Sequence, residues 1–457
     1  MKLSLQRKNN INYLAEVITV KELRNHPDPE IEKLRIVVHK GFQIITDIST
    51  KIGDTMIYFP VGSKIEEWFL KENNLFRDPS LNLDPEKTGM FNDNCAVKCI
   101  KLRGQKSEGF VIPYESLSSS TGTLFDSIDD KILISKYVPA GTKTKLESNL
   151  NKKPKTKEDK INSKIEEILI PSQFRFHSNT PHLQNELSSI NLTDYVSITQ
   201  KIHGSSGIAS NVLIYKKSNW FTKAFRKLFK LENKEYGYIY SSGKPKSNLP
   251  KGIVNRKFEN TSNYYGSDKI WQYSFDVLLQ HLYNGLTIYY EIVGYTPEGM
   301  QIQKGYDYGC VPPEYPFSYT EGKHYKIFIY RITQTSYDDN VIEFSNDQIK
   351  EFCESRDLRM VPELFQGYVY EILKDIPEIS VDSDDWRTAL LSNLEKLYLE
   401  KDCNLCDNLV PDEGIVLRLN KGNYFRVVKL KSFRFKERES KQLFSGEVDI
   451  ETIESDL

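Results

Sequence analysis

A lysine that ends a strand-like run and is followed at once by a glycine turn constrains this chain more than any other feature. Tyr195–Gln200 is the run, Lys201 ends it, and Ile202-His203-Gly204 turns the backbone into Ser205-Ser206-Gly207-Ile208. A lysine presented this way can offer an amine nucleophile to a nucleotide phosphate. Four residues alone are a weak signal. Three further stretches follow in order: Tyr290-Glu291 with Gly294, Glu413-Gly414 with Val416, and Lys429-Leu430-Lys431. Each attaches a charged residue to a strand-like run, so the fold is expected to gather several strand ends at one place.

At 457 residues the chain is too long for one average core, and two domains are expected. A hydrophobic fraction of 39% with 12% aromatic suits folded globular domains, and 27 Tyr with 23 Phe lean toward sheets. The net charge of -1 excludes a global pull toward polyanions, so nucleic-acid binding would need a local basic groove. No stretch approaches the ~20 apolar residues that span a bilayer, and the N-terminus lacks the apolar centre of a signal peptide. Six cysteines in a chain this size do not make a disulfide scaffold. No membrane partner and an intracellular, reduced setting are expected.

Residues 1–145 read as mostly β. Strand-like runs fall at Tyr13–Val20, Leu34–His39, Phe42–Thr46, Thr55–Phe59 and Cys95–Leu102, punctuated by Gly53-Asp54, Asn92-Asp93 and Gly104. Short strands separated by turn signals predict a small barrel or sandwich, with an oligonucleotide-binding (OB-like) barrel as a candidate. The turn Leu102–Ser107 is basic. Residues 146–167 form a charged linker, within a Lys-rich stretch almost free of apolar side chains. From 168 to 457 strands and helices mix. Leu286–Val293 and Tyr325–Tyr330 read as strands, while Asn346–Cys353 and Trp386–Leu397 have helical apolar spacing. The fold class expected is therefore α+β, with no internal repeat.

The charged residues suggest the chemistry. A lysine attacks phosphorus only as the neutral amine, so neighbouring positive charge or burial must disfavour its proton. Lys429 and Lys431 alternate along a strand and share one face, where two ammonium groups could hold a triphosphate and favour neutral Lys201. Glu291 and Glu413 are hard oxygen donors that suit Mg²⁺ or Mn²⁺, directly or through water. Glu291 could instead hold ribose hydroxyls. Val416 could floor a purine ring, and an aromatic between Phe328 and Tyr330 could stack on its other face.

These stretches resemble the covalent nucleotidyltransferase superfamily of polynucleotide ligases and RNA capping enzymes. Lys201–Gly204 is similar to its nucleotidyl-lysine motif, Glu291 to the third motif, the strand around Phe328 to its aromatic companion, Glu413-Gly414 to the fourth and Lys429–Lys431 to the fifth. The His203 position resembles RNA ligases that seal duplex breaks. A barrel ahead of the transferase, with Leu102–Phe110 and Phe174–Pro181, is similar to the ATP-dependent RNA ligase family typified by the Naegleria and Deinococcus enzymes.

The resemblance implies an OB-like domain followed by an adenylyltransferase domain, ATP-grasp-like and built on antiparallel sheets with helices. It implies that Lys201 attacks the α-phosphate of ATP, that AMP passes to an RNA 5′-phosphate, and that a 3′-hydroxyl displaces it, in repair of nicked duplexes. Catalytic residues would be Lys201, Lys429, Lys431 and Glu413. Nucleotide contacts would add Gln200 or Thr199 at the adenine edge, His203, Gly204, Glu291, Phe328 and Val416. Lys244, in Tyr240-Ser241-Ser242-Gly243-Lys244, stands near where the family supplies an arginine and would meet phosphate or ribose. Many members carry Asp where His203 stands.

A GTP-using capping enzyme or a DNA ligase would resemble a transferase followed by a C-terminal OB domain, and residues 432–457 are too few for one. An inactive RNA-binding protein is the rival from another class, and the intact charged set argues against it. A monomer is expected. Cys403 and Cys406 have zinc-like spacing without a second pair. The basic amphipathic stretch 217–230 is expected to pack on its own domain rather than on RNA or a membrane.

Overall fold

The computed structural model describes residues 2–6, 11–113, 121–138, 165–177, 179–216, 234–243, 249–253, 269–314, 318–374, 385–422 and 424–444. The 217–230 stretch, Lys244 and all of the expected linker except 165–167 lie outside these residues.

The N-terminal β-rich expectation is met by strands, but among the described residues they form no closed barrel. They divide into small antiparallel sheets. One, in the order Phe110–Pro113, Thr55–Phe59, Ala15–Thr19, Leu124–Phe125, buries Val17, Ile57, Phe59 and Phe125. A second meander joins Glu22–Asn25, Leu34–His39 and Phe42–Asp47. The expected strand Cys95–Leu102 shortens to Cys99–Leu102, because Cys95 takes a left-handed backbone, and pairs with Gln105–Glu108 as a hairpin.

The C-terminal part rests on two antiparallel sheets. The larger has six strands, in the order Gly252–Ile253, Lys234–Ser242, Ser205–Tyr215, Leu286–Gly294, Tyr325–Thr335, Val341–Glu343. Its central strand, Leu286–Gly294, is buried along its whole length. Helix Lys269–Leu278 covers one face with Trp271, Phe275 and Leu278, whose spacing of four and three keeps them on one stripe. Helix Asn346–Glu354 starts at a capping box, Ser345 with Gln348, and packs Ile349, Phe352 and Cys353 into the same core.

The smaller sheet runs Glu363–Tyr368, Tyr195–Lys201, Gly414–Asn420, Phe425–Lys431. Its back face, with Ile198, Ile415, Leu417 and Leu430, is covered by Trp386, Leu390 and Leu394 of helix Asp385–Tyr398. Both helices read from apolar spacing are thus present. The last helix, Phe433–Phe444, leads away from Lys431 and ties the two halves together. Its Lys436 pairs with Glu108, and its Ser440 Oγ accepts from the Cys99 N–H at 3.1 Å.

Candidate active site

The small sheet aligns the charged strand ends. Register pairs Lys201 with Gly414 and Gly414 with Lys431, so the two lysines flank a glycine in one row. The next row on the same face is Thr199, Val416, Lys429, and the next Ser197, Arg418, Val427. Gly414 sits at φ +143°, and a Cβ there would collide with the Leu430 carbonyl. That close approach requires glycine and lets the chain turn from Glu413 into the row.

Glu413 is the hub beneath the row. It is 1% exposed, with Oε1 at 2.7 Å from Lys201 Nζ and 3.2 Å from Lys431 Nζ. Lys431 also meets Glu439 Oε1 at 3.1 Å. His203 Nδ1 lies 3.8 Å from Glu413 Oε2. The His203 ring is wedged edge-on against Tyr306 and Phe435, and its carbonyl accepts from Tyr308 Oη at 2.8 Å. Gly204 packs against the neighbouring sheet, where a Cβ would stand 2.5 Å from the Ile292 carbonyl oxygen.

Between the two sheets lies a cleft of ≈ 330 Å³, bordered by Thr199, Gln200, Lys201, Val416 and Lys429 from one side and Ser206, Glu291 and Tyr330 from the other. Glu291 Oε2 accepts from Ser206 Oγ at 2.9 Å. Burial first, then the Glu291 carboxylate, pushes the Tyr330 phenol well above its ordinary range, so it stays protonated.

Two expected contacts need correction. Phe328 is buried in an apolar cluster with Ile202, Val293, Tyr308 and Val361 and does not border the cleft. Tyr330 borders it instead. Phe328 lies opposite Glu291, two residues from Tyr330 on the same face, but packs there with Ile202 and Tyr308. At Tyr330 the strand bulges: Tyr290 pairs with Ile329 and Tyr289 with Arg331, leaving Tyr330 as the extra residue. The bulge breaks strand alternation and brings consecutive Tyr330 and Arg331 both to the cleft. Gln200 borders the cleft, yet its carboxamide turns to the other face and donates to Asp412 Oδ1 at 3.1 Å. Thr199, in the Val416 row, is the side chain on the cleft face.

Three residues that sequence reasoning missed close one end. Glu343 accepts from Arg331 Nε at 2.9 Å and pairs with Arg418 at 3.3 Å. Arg418 lies flat over Phe425, 3.9 Å from its ring, and burial lowers its pKa to about 10, so it stays charged at neutral pH. Period two from Val416 could have found Arg418. Nothing local could have found Arg331, whose direction depends on the bulge.

Lys429 and Lys431 extend the positive face behind the cleft, beside His182. Burial, then Lys429, Lys436, Lys431 and Lys201, holds the His182 imidazole well below its ordinary range, so it is neutral. Asn12 Oδ1 accepts from the His182 N–H at 3.2 Å, linking the N-terminal segment to this edge.

Among the described residues no group of three or more His, Cys, Asp or Glu is gathered to hold a metal. Among the described residues, Cys403 and Cys406 are not joined by the further ligands a structural zinc needs. No helix among them is long and apolar enough to cross a membrane.

Two antiparallel sheets facing each other across a lysine-ended cleft give this chain an RNA-ligase-like fold. Solved structures similar to it include several of Naegleria gruberi RNA ligase. A mutant of it with ATP and Mn matches at TM-score 0.53 and 14% identity, covering 96% of this chain and 99% of that one. A second mutant with ATP and Mn gives TM-score 0.53 and 15% identity over 93% and 98%. An apo mutant gives 0.51 and 15% over 95% and 100%. No protein-family model matches the chain, and no curated protein matches it in sequence.

Proposed function

We propose that this protein is an ATP-dependent RNA ligase, sealing 3′-hydroxyl and 5′-phosphate ends of nicked RNA duplexes. The carrying observation is the row Lys201–Gly414–Lys431 over the buried Glu413, at the mouth of a cleft between two sheets. Full-length likeness to RNA ligase structures with ATP and Mn supports it.

In this reading the Lys201 amine attacks the α-phosphorus of ATP. An N–P bond forms, the bond to pyrophosphate breaks, and the lysine carries AMP. Glu413, at 2.7 Å, holds the Lys201 ammonium in place and is the nearest carboxylate to accept its proton. Lys429 and Lys431 oppose phosphate charge, as do Arg331 and Arg418 at the cleft's end. Val416 and Tyr330 would enclose the purine, with Thr199 at its edge. Glu291, steadied by Ser206, would hold ribose hydroxyls or a divalent cation. Gln200, His203, Gly204 and Phe328 act behind these contacts by packing and hydrogen bonding. Lys244 is proposed for phosphate or ribose.

A single carboxylate fits Mg²⁺ or Mn²⁺, which commonly keep waters and complete their shell with phosphate oxygens. Glu291 would be that ligand. Glu413, occupied by two lysines, would meet the ion only through water. When bound, the ion would stabilise charge on the phosphate oxygens. The AMP would then pass to an RNA 5′-phosphate and leave when a 3′-hydroxyl attacks. Residues 1–145 are proposed as an OB-like RNA-binding domain, 146–167 as a linker and 168–457 as the adenylyltransferase domain.

The test is incubation with α-phosphate-labelled ATP or GTP and Mg²⁺ or Mn²⁺, then denaturation. Label from ATP that vanishes in Lys201→Ala supports the reading. Label from GTP alone moves it to capping. No label from either, with pre-adenylated protein excluded by mass, points to a nucleic-acid-binding protein without catalysis.

A further inference from the structure

The loop after helix Asp385–Tyr398 carries Cys403-Asn404-Leu405-Cys406 on a turn closed by the Cys406 N–H, which donates to the Cys403 carbonyl at 3.3 Å. The Cys403 N–H donates to the Val410 carbonyl at 2.8 Å, fixing the turn from its other side. Cys403 is buried in the cluster with Tyr306 and Tyr308, and Cys406 is partly exposed beside it. The neighbouring Cys406 thiol holds the Cys403 thiol below its ordinary range and is itself pushed up. Burial instead raises the thiols elsewhere, Cys95 to about 11 and Cys353 to about 12, with Cys99 and Cys310 also raised. The turn sets one buried and one partly exposed thiol side by side, so a sulfenic acid formed on either has the other beside it to resolve it.

Cys403 touches the site. Gln200 Nε2 lies 3.8 Å from its Sγ and 3.1 Å from Asp412 Oδ1, while Gln200 Oε1 is buried without a hydrogen bond. These two contacts orient a carboxamide that directly precedes Lys201.

We propose that Cys403 and Cys406 are a redox modification site, closed to a disulfide by hydrogen peroxide, and that closure withdraws Cys403 from Gln200 and slows nucleotide transfer to Lys201. A small oxidant is required because Cys403 is only 6% exposed. One thiolate of the pair attacks the O–O bond of hydrogen peroxide, giving a sulfenic acid and, with one proton, water. The other thiol then attacks that sulfur, the S–S bond forms and a second water leaves. Two thiols are oxidised by two electrons and one peroxide is reduced to two waters. An S–S bond of about 2 Å draws Cys403 toward Cys406. The effect on Lys201 rests on the ligase reading above. The disulfide itself does not.

The experiment treats the full chain with hydrogen peroxide and reads intact mass, peptide mapping and self-labelling from ATP. Expected are loss of two hydrogens mapped to a Cys403–Cys406 disulfide, labelling slowed roughly five- to tenfold, and recovery of both with dithiothreitol. Cys406→Ser should label at the untreated rate and form no disulfide. Both thiols remaining alkylatable after peroxide, or zinc bound stoichiometrically by the pair, overturns the site. A mapped disulfide with unchanged labelling overturns the link to Lys201. If reduced protein takes no label at all, the ligase reading fails while the mapping still decides the modification.

Discussion

Replacing Glu413 with glutamine keeps the shape of the hub and removes its charge. Two ammonium groups, side chains 17% and 10% exposed, then lose a carboxylate at 2.7 and 3.2 Å. At an effective dielectric of ~20 the gross attractions are about 6 and about 5 kcal/mol. Desolvation already offsets most of that, and removing one partner of a buried pair typically costs about 3–5 kcal/mol. Lys431 keeps Glu439 at 3.1 Å, so the lower end of that range, about 3 kcal/mol, is expected. Guanidinium unfolding of Glu413→Gln against wild type at neutral pH reads this directly. Self-labelling should fall roughly 100-fold if the same energy positions the nucleophile. Glu439→Gln is the control and should cost less, because Lys431 keeps Glu413. A loss below about 1 kcal/mol, the level of an exposed pair, would refute the buried-hub argument.

The two aromatics Tyr330 and Phe328 make a paired prediction. Tyr330→Leu should weaken ATP binding roughly tenfold with little loss of stability, whereas Phe328→Leu should cost about 1–2 kcal/mol of stability and leave ATP affinity intact; equilibrium binding and thermal melts separate them, and the reverse pattern would return Phe328 to the cleft. Burial, opposed by Gln200 and aided by Glu413, raises Asp412 from 3.8 to about 6. The folded state therefore holds that proton more tightly, so Asp412 costs stability as pH rises from about 4 through 6. Asp412→Asn should gain roughly 1–3 kcal/mol at pH ~7 and little near pH ~4; equal gains in denaturant titrations at both pH values would sink the argument. Lys436→Met leaves Glu108 buried without its ammonium and should cost about 3–5 kcal/mol, with Glu108→Gln in the same chain recovering much of it. An unfolding curve unchanged by Lys436→Met would mean the C-terminal helix does not hold the two halves through this pair.

Much of the site was legible because strand ends and helix stripes are written in neighbouring residues. Tyr195–Lys201 is a strand with its lysine last, Lys429 and Lys431 share a face, and the helices Asn346–Glu354 and Asp385–Tyr398 follow their apolar spacing. Side-chain period and glycine turns are local properties, so they survive without knowledge of partners. The strand pairing of the N-terminal part was not legible in the same way. Short strands such as Phe110–Pro113 and Leu124–Phe125 announce themselves, but which edges pair is decided by packing from elsewhere.

Which residues carry charge to strand ends, and in what order, is written in the chain itself. Pairing between distant segments set Glu413 between Lys201 and Lys431, brought Arg331 to the cleft beside Tyr330, turned Gln200 toward Asp412 and Cys403, and joined Arg331 to Arg418 through Glu343. The physical reason is register. A bulge or a cross-strand row is set by hydrogen bonds between segments far apart in the chain, and one residue of shift sends a side chain to the opposite face.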